Sequence, residues 1–201
     1  EFICAYFAAT TLGITVNALN IMFLLELGVK AFLDERCSQT LICDENYYKL
    51  LLQHNVMNDK NLKTIIITGD ATYNHLKNDS TKINVYGKNI PGVDIIPFSD
   101  FLKNNNINSN LNAVDYDESR ISTLNYTSGT TGFPKCMGHS DLAPLFLNAA
   151  HDSIIRDEYK KDRTLVTIPL QHPTGLFYSM VFQMAQGKTL VLEPRYDKKL
   201  F

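Results

Sequence analysis

Apolar and polar positions alternate along the 201-residue chain in two rhythms. Short runs rich in β-branched residues read as strands, and longer stretches with apolar residues three and four apart read as helices. Residues Phe2 to Thr11 have helical spacing, and Gly13 stands where a helix stop is expected. "GITVNAL" then reads as a buried strand. Residues 21–35 predict a helix, "TLICD" (40–44) a short strand, "ENYYKLLLQHN" a helix and "KTIIITGD" (63–70) a strand ending in turn residues. "VDIIPFSDFLKN" predicts a strand and then a helix starting at Ser99 or Asp100. In the second half, "RISTLNY" (120–126) reads as a strand. "SDLAPLFLNAAHDSII" reads as a helix with Leu142, Leu145, Phe146, Ala149 and Ala150 at apolar spacing. Ser140 or Asp141 is its expected cap, and Pro144 is early enough to be tolerated. "RTLVTIPL" (163–170) is a strand, "TGLFYSMVFQMAQG" a buried helix stopped by Gly187, and "KTLVLEP" the last strand. Phe177, Met180, Phe182 and Met184 are expected in the core.

This succession predicts an α/β fold, with mostly parallel sheets flanked by helices in two stacked subdomains. The expected division is 1–103 for the first subdomain, 104–119 for an asparagine-rich loop or linker, and 120–201 for the second. The chain starts with Glu and ends on "RYDKKLF", and both edges lead to the expectation of a piece of a longer polypeptide. Residues 2–25, which open with "FICAYFAATTLGITVNALN", are long enough to suggest a membrane span. Thr10, Thr11, Gly13, Thr15, Asn17 and Asn20 interrupt them, so helix followed by strand is preferred and no transmembrane segment is expected.

Composition narrows the chemistry. The formal net charge is −2, with no basic stripe, which argues against nucleic acid as partner. Cys4, Cys37, Cys43 and Cys136 form no CxxC pair and no His/Cys metal spacing, so no metal site is expected. The same pattern suits a reduced, intracellular setting.

The stretch "TLNYTSGTTGFPKCMGHSD" stands out. It predicts a strand, then a glycine-rich loop, then a helix. Gly129 and Gly132 allow close backbone approach and positive φ, and exposed N–H groups in such a loop form an anion-binding nest. Thr127, Ser128, Thr130 and Thr131 add hydroxyls, Lys135 adds a cation, and Pro134 fixes the backbone beside it. The set suits a polyphosphate. It is not a Walker A loop, since Phe133 and Pro134 separate Gly132 from the lysine, nor is it G-x-G-x-x-G. A threonine- and glycine-rich surface loop without a ligand is the alternative. His139 reads as a surface residue. Cys136 has no evident activating partner except His139 and is assigned no thiol chemistry.

"YTSGTTGFPK", ten consecutive positions, resembles the phosphate-loop signature of the adenylate-forming superfamily: acyl- and aryl-CoA ligases, luciferases and amino-acid adenylation domains. "PLQHPTGLFYSMVFQMAQGKTLVLEPRYD" resembles the family's next region, and "FAATTLGITVNALNIMFLLEL" its early helix–strand unit. The resemblance covers only the front part of such an enzyme. It implies ATP, Mg2+ and coenzyme A as cofactors and a small carboxylic acid as partner. The acid is activated as an acyl-adenylate and passed to a thiol. It further implies that Thr127, Ser128, Gly129, Thr130, Thr131, Gly132 and Lys135 hold the β- and γ-phosphates, and that His172 and Gly175 line the acyl pocket. The adenine, ribose and distal-lysine elements of the family have no counterpart here, so no complete catalytic set is expected, and the missing remainder of the polypeptide is an expected partner. A cytoplasmic or peroxisomal location follows from the same resemblance. A non-catalytic nucleotide-binding module or truncated pseudoenzyme with the same fold is the alternative. Two positions depart from the signature: Cys136 stands in place of glycine, and Asp141 in place of histidine. Asp141 is expected to set a negative charge near bound phosphate.

Overall fold

The computed structural model describes residues 1–19, 38–53, 61–69, 90–104, 112–127, 134–154 and 163–192. The expected helix over 21–35, residues 105–111 of the asparagine-rich loop or linker, Cys37 and the loop residues Ser128 to Gly132 lie outside the described residues. The chain separates into two compact units, one of residues 21–111 and one of residues 2–20 together with 112–201.

The first unit is built on a parallel sheet of β2 (Thr40–Asp44), β3 (Thr64–Thr68) and β4 (Asp94–Pro97), in the order β2-β3-β4. The central strand "TIIIT" buries Ile65, Ile66 and Ile67 together, as a strand covered on both faces must. Helix α2 (Glu45–Gln53) follows β2 at once and buries Tyr48 and Leu51. Its first turn is capped by Asp44, whose Oδ1 accepts the Tyr47 N–H at 2.9 Å. Helix α3 (Phe98–Asn104) begins directly after Pro97. That is earlier than the Ser99 or Asp100 start expected, since β4 and the helix share no linker.

The second unit joins the two ends of its sequence. Helix α1 (Phe2–Thr11) stops at Gly13, whose φ is +73°, as its position predicts. Strand β1 is only Val16–Asn17 and lies parallel to β5 (Ile121–Tyr126). The longer buried strand expected from "GITVNAL" does not form: Ile14 is exposed, and Thr15 is spent on a hydrogen bond to the Ile121 carbonyl at 2.7 Å. On its other side β5 pairs antiparallel with β6 (Cys136–Ser140), in the order β1-β5-β6. Strand β6 was not expected between the loop and the helix capped by Ser140 or Asp141. "CMGHS" has no β-branched residue to announce a strand, and pairing with β5 imposes it. Helix α4 (Leu142–Ile154) starts only after it. Strands β7 (Arg163–Val166) and β8 (Thr189–Leu192) form a parallel pair. Between them, Thr174–Val181 is a π-helix that runs into α5 (Phe182–Ala185) and ends at Gly187, φ +72°.

The core of this unit is Tyr6, Leu176, Phe177 and Met180, with Ile3, Phe7, Val16, Leu147, Leu170, Val181 and Leu190 packed around it. Tyr6 buries its hydroxyl against Thr123 Oγ1 at 3.0 Å, and burial pushes its phenol up despite that bond. Phe182 is also buried, whereas Met184 is exposed, contrary to expectation. Helix α4 differs too: Leu142, Leu145 and Phe146 face outward, and Leu147 meets the core.

Candidate functional site

The residues expected to hold phosphate fall between strands β5 and β6. Tyr126 and Cys136 are their last cross-strand partners, so residues 127–135 are the connection. Two of the expected site residues in it are described, and they are held together. The Thr127 N–H donates to the Lys135 carbonyl at 3.0 Å, and the Lys135 N–H donates to Thr127 Oγ1 at 3.3 Å. Pro134 is buried beside this neck, while the Lys135 side chain is exposed and forms no ion pair among the described residues. The backbone is thus fixed while the ammonium stays free, which is what an anion site needs.

Asp141 is not near this neck. It sits past the far end of β6, where Ser140 pairs with Ile121. Five steps of strand at about 3.4 Å each place that end roughly 17 Å from the loop. There its Oδ2 accepts from the Arg120 guanidinium, in an ion pair whose partners are mostly buried. The Asp117 N–H reaches the same oxygen at 3.4 Å, and the Asp141 N–H donates to the Arg120 carbonyl at 3.1 Å. The expected negative charge beside a phosphate is replaced by a clamp on the hairpin's open end. Nothing in either residue alone signalled the pairing, because it depends on β6.

His139 is half-buried rather than on the surface. Its ring packs edge-on against Phe177, centroids 4.9 Å apart, and its Nε2 is buried with no hydrogen-bond partner. Desolvation holds its pKa below the usual histidine value. Cys136 is paired in β6 and carries no described thiol contact.

His172 and Gly175 lie in the turn that opens the π-helix. His172 is exposed. Its N–H donates to the Pro169 carbonyl at 3.0 Å, its Nδ1 accepts the Thr174 N–H at 3.2 Å, and its carbonyl accepts the Leu176 N–H at 2.8 Å. Gly175 is buried so tightly that a Cβ there would lie 2.2 Å from the Pro169 carbonyl oxygen. Close backbone approach therefore suffices to explain this glycine. Sequence reasoning missed Asn125. It is fully buried in β5, and its Nδ2 donates to the Gln171 carbonyl at 3.0 Å. A carboxamide in the middle of an otherwise strand-like run was its one signal.

A model of the AMP-binding enzyme family matches residues 1–201, the whole chain. The chain belongs to that family. Among curated proteins it is 34% identical over 86 residues to a 2-succinylbenzoate–CoA ligase of Bacillus pumilus, covering 41% of this chain and 17% of that protein. It is 40% identical over 72 residues to an indoleacetate–CoA ligase of Aromatoleum aromaticum, covering 36% and 14%. Among solved structures, the anthranilate CoA ligase AuaEII in complex with anthranoyl-AMP superposes with a TM-score of 0.70 at 20% identity. That match covers 95% of this chain and 32% of the ligase. A red-emitting luciferase of Phrixothrix hirtus gives 0.67 at 19% identity, covering 98% and 34%. These two share the α/β fold with this chain, which spans about a third of their length. Among the described residues no helix is long and apolar enough to cross a membrane, and no group of three His, Cys, Asp or Glu residues is placed to hold a metal ion.

Proposed function

We propose that this chain is the part of an AMP-forming acid–thiol ligase that holds the β- and γ-phosphates of ATP. The locked neck of Thr127 and Lys135 carries the reading: it closes a loop of small residues and leaves one free ammonium at its mouth. Membership in the AMP-binding family and the likeness to CoA ligases support it.

The donor set fits a polyanion. Thr127 supplies a hydroxyl, Lys135 a cation, and residues 128–132 the hydroxyls and backbone of "SGTTG". In the proposed reaction a carboxylate attacks the α-phosphate of ATP, the bond to the bridging oxygen breaks, and pyrophosphate leaves. Charge grows on the departing pyrophosphate, and a preorganised cradle stabilises that charge. His172 would form part of the acyl pocket's wall, with Gly175 letting its turn seat against Pro169. Coenzyme A would take the acyl group in the second half-reaction, and no described residue is assigned to it. The described residues offer no metal-ligand cluster, so magnesium is given no role through them.

The test is titration of the chain with pyrophosphate and with ATP, comparing wild type with Lys135→Ala and Gly132→Val. Weaker binding in both variants is expected, and unchanged binding in both would overturn the reading. A second reading, a nucleotide-holding module without turnover, draws on Cys136, which stands where the family's signature has glycine. Carboxylate-dependent exchange of labelled pyrophosphate into ATP separates the two. Exchange below detection with binding intact favours the module.

A further inference from the structure

We infer that Asn125 is a positioning residue that fixes the His172 turn to the strand carrying the phosphate loop, so that loop neck and turn respond to a bound phosphate as one body. The inference rests on the phosphate reading of residues 127–135 given above.

Asn125 occupies the interior of β5 with no solvent exposure. A buried carboxamide is unfavourable unless it is hydrogen-bonded, and a leucine of similar volume would fill the same space. What the amide adds is a link. Its Nδ2 donates to the Gln171 carbonyl, 46 residues away in sequence, at 3.0 Å. The orientation is fixed by chemistry, since a carbonyl can only accept. Oδ1 is left without a partner, so the amide is not a fully satisfied structural plug.

Both ends of this link are stiff. Gln171 is followed by a turn closed on itself through the His172–Pro169, Thr174–His172 and Leu176–His172 hydrogen bonds. Gly175 is wedged against the Pro169 carbonyl. On the other side Asn125 lies two residues before Thr127, whose N–H and hydroxyl both engage Lys135. A shift of the neck has a short route to His172: along two residues of strand, through one amide, into a turn with little internal freedom. Contiguous hydrogen bonds between stiff elements are the physical means by which such shifts pass.

Isotopically labelled full chain titrated with pyrophosphate tests this, with signals of Thr127, Lys135 and the His172 ring followed together. In wild type all three are expected to move on one isotherm. Asn125→Leu should keep the Thr127 and Lys135 responses with affinity within about threefold. Its His172 response should fall at least about threefold, within the range that changes along a coupled path produce. Asn125→Asp gives a readout that loss of packing would not. A protonated carboxyl can donate to Gln171 and an ionised one cannot, so the His172 response should be present at low pH and vanish as that carboxyl ionises. Should the leucine variant fail to fold, this pH response decides. No movement of Thr127 or Lys135 in wild type would overturn the phosphate reading and the inference with it. Movement of those two without His172, or a His172 response that survives both substitutions at every pH, would overturn the role of Asn125 alone.

Discussion

Thr127 and Lys135 face each other across the mouth of a hairpin connection and bond twice, backbone to backbone at 3.0 Å and backbone to hydroxyl at 3.3 Å. The pair brackets the connection through the Lys135 backbone alone, and among the described residues the Lys135 ammonium forms no ion pair. Lys135→Ala should therefore leave thermal stability unchanged while weakening pyrophosphate binding. One charged hydrogen bond is worth about 1.5–3 kcal/mol, or roughly one to two orders of magnitude in Kd. Isothermal titration checks the affinity and a melting curve checks the stability. A large loss of stability with unchanged affinity would reverse the assignment.

Asp141 should behave in the opposite way. It pairs with Arg120 at the hairpin's other end, where both side chains are mostly buried. Truncating it leaves the guanidinium unpaired and is expected to cost about 1–3 kcal/mol of stability. Pyrophosphate affinity should stay within about twofold, because the site is roughly 17 Å away. Urea unfolding of Asp141→Ala, with a parallel pyrophosphate titration, tests both halves. An affinity gain would restore the view of Asp141 as a charge near the phosphates.

Much of the fold was legible, and what was not has a common cause. Helix α1 and its Gly13 stop, β2, β3 and β5 follow local pattern, since "TIIIT" and "ISTLNY" carry strand preference in their own residues. Strand β6 does not. "CMGHS" becomes a strand because β5 lies beside it, and missing it misplaced Asp141 and His139, while the start of α4 directly after the expected cap Asp141 was legible. Helix α4 misled differently. Its periodic apolar residues Leu142, Leu145 and Phe146 are exposed while Leu147 packs inward, because periodicity names a stripe without saying what covers it. At the site, the end of β5 at Tyr126 was legible in the sequence. The Asn125–Gln171 link was not, because it joins residues 46 apart.

Gly175→Ala tests the turn that carries His172. Its added Cβ would meet the Pro169 oxygen at 2.2 Å, the Pro169 carbonyl carbon at 2.8 Å and the Ile168 oxygen at 2.9 Å. These are backbone atoms with little room to move. The expected cost is about 1–3 kcal/mol, as for other overpacked sites. A urea midpoint equal to that of wild type would show that the turn is looser than its geometry implies.

Cys43 should be inert. Burial first, and the Asp44 carboxylate second, push its thiol up to about 12. Only the thiolate reacts, so at neutral pH its alkylation should be slower than that of a free thiol by roughly three orders of magnitude. Mass spectrometry after timed iodoacetamide treatment should find Cys4, which is exposed, modified well before Cys43. Equal rates would mean that β2 opens readily.

His139 makes the stability of the second unit depend on pH. Its ring is held on β6 opposite Thr123 and edge-on to Phe177, and its Nε2 has no partner to share a second proton. Desolvation therefore favours the neutral ring and lowers its pKa in the folded chain. The unfolded chain takes up the proton at the ordinary value, about 6.5. Above that pH neither state binds it, and the contribution of the neutral ring is fully present. As pH falls from there through the lowered folded value, the unfolded state binds more protons and stability drops. Below the folded value the loss levels off. A single site cannot give a slope steeper than about 1.4 kcal/mol per pH unit, and the ring's partial exposure keeps it well under that. The chain has 5 histidines, so the contribution is read as a difference between wild type and His139→Phe, which keeps an aromatic ring against Phe177 and removes the titration. Urea unfolding of both proteins between pH 5 and 8 should give curves that run parallel at the alkaline end and diverge on acidification, with the wild type losing more. Curves that stay parallel throughout, or a wild type that gains relative to the variant in acid, would mean that His139 finds a partner for its proton in the folded chain.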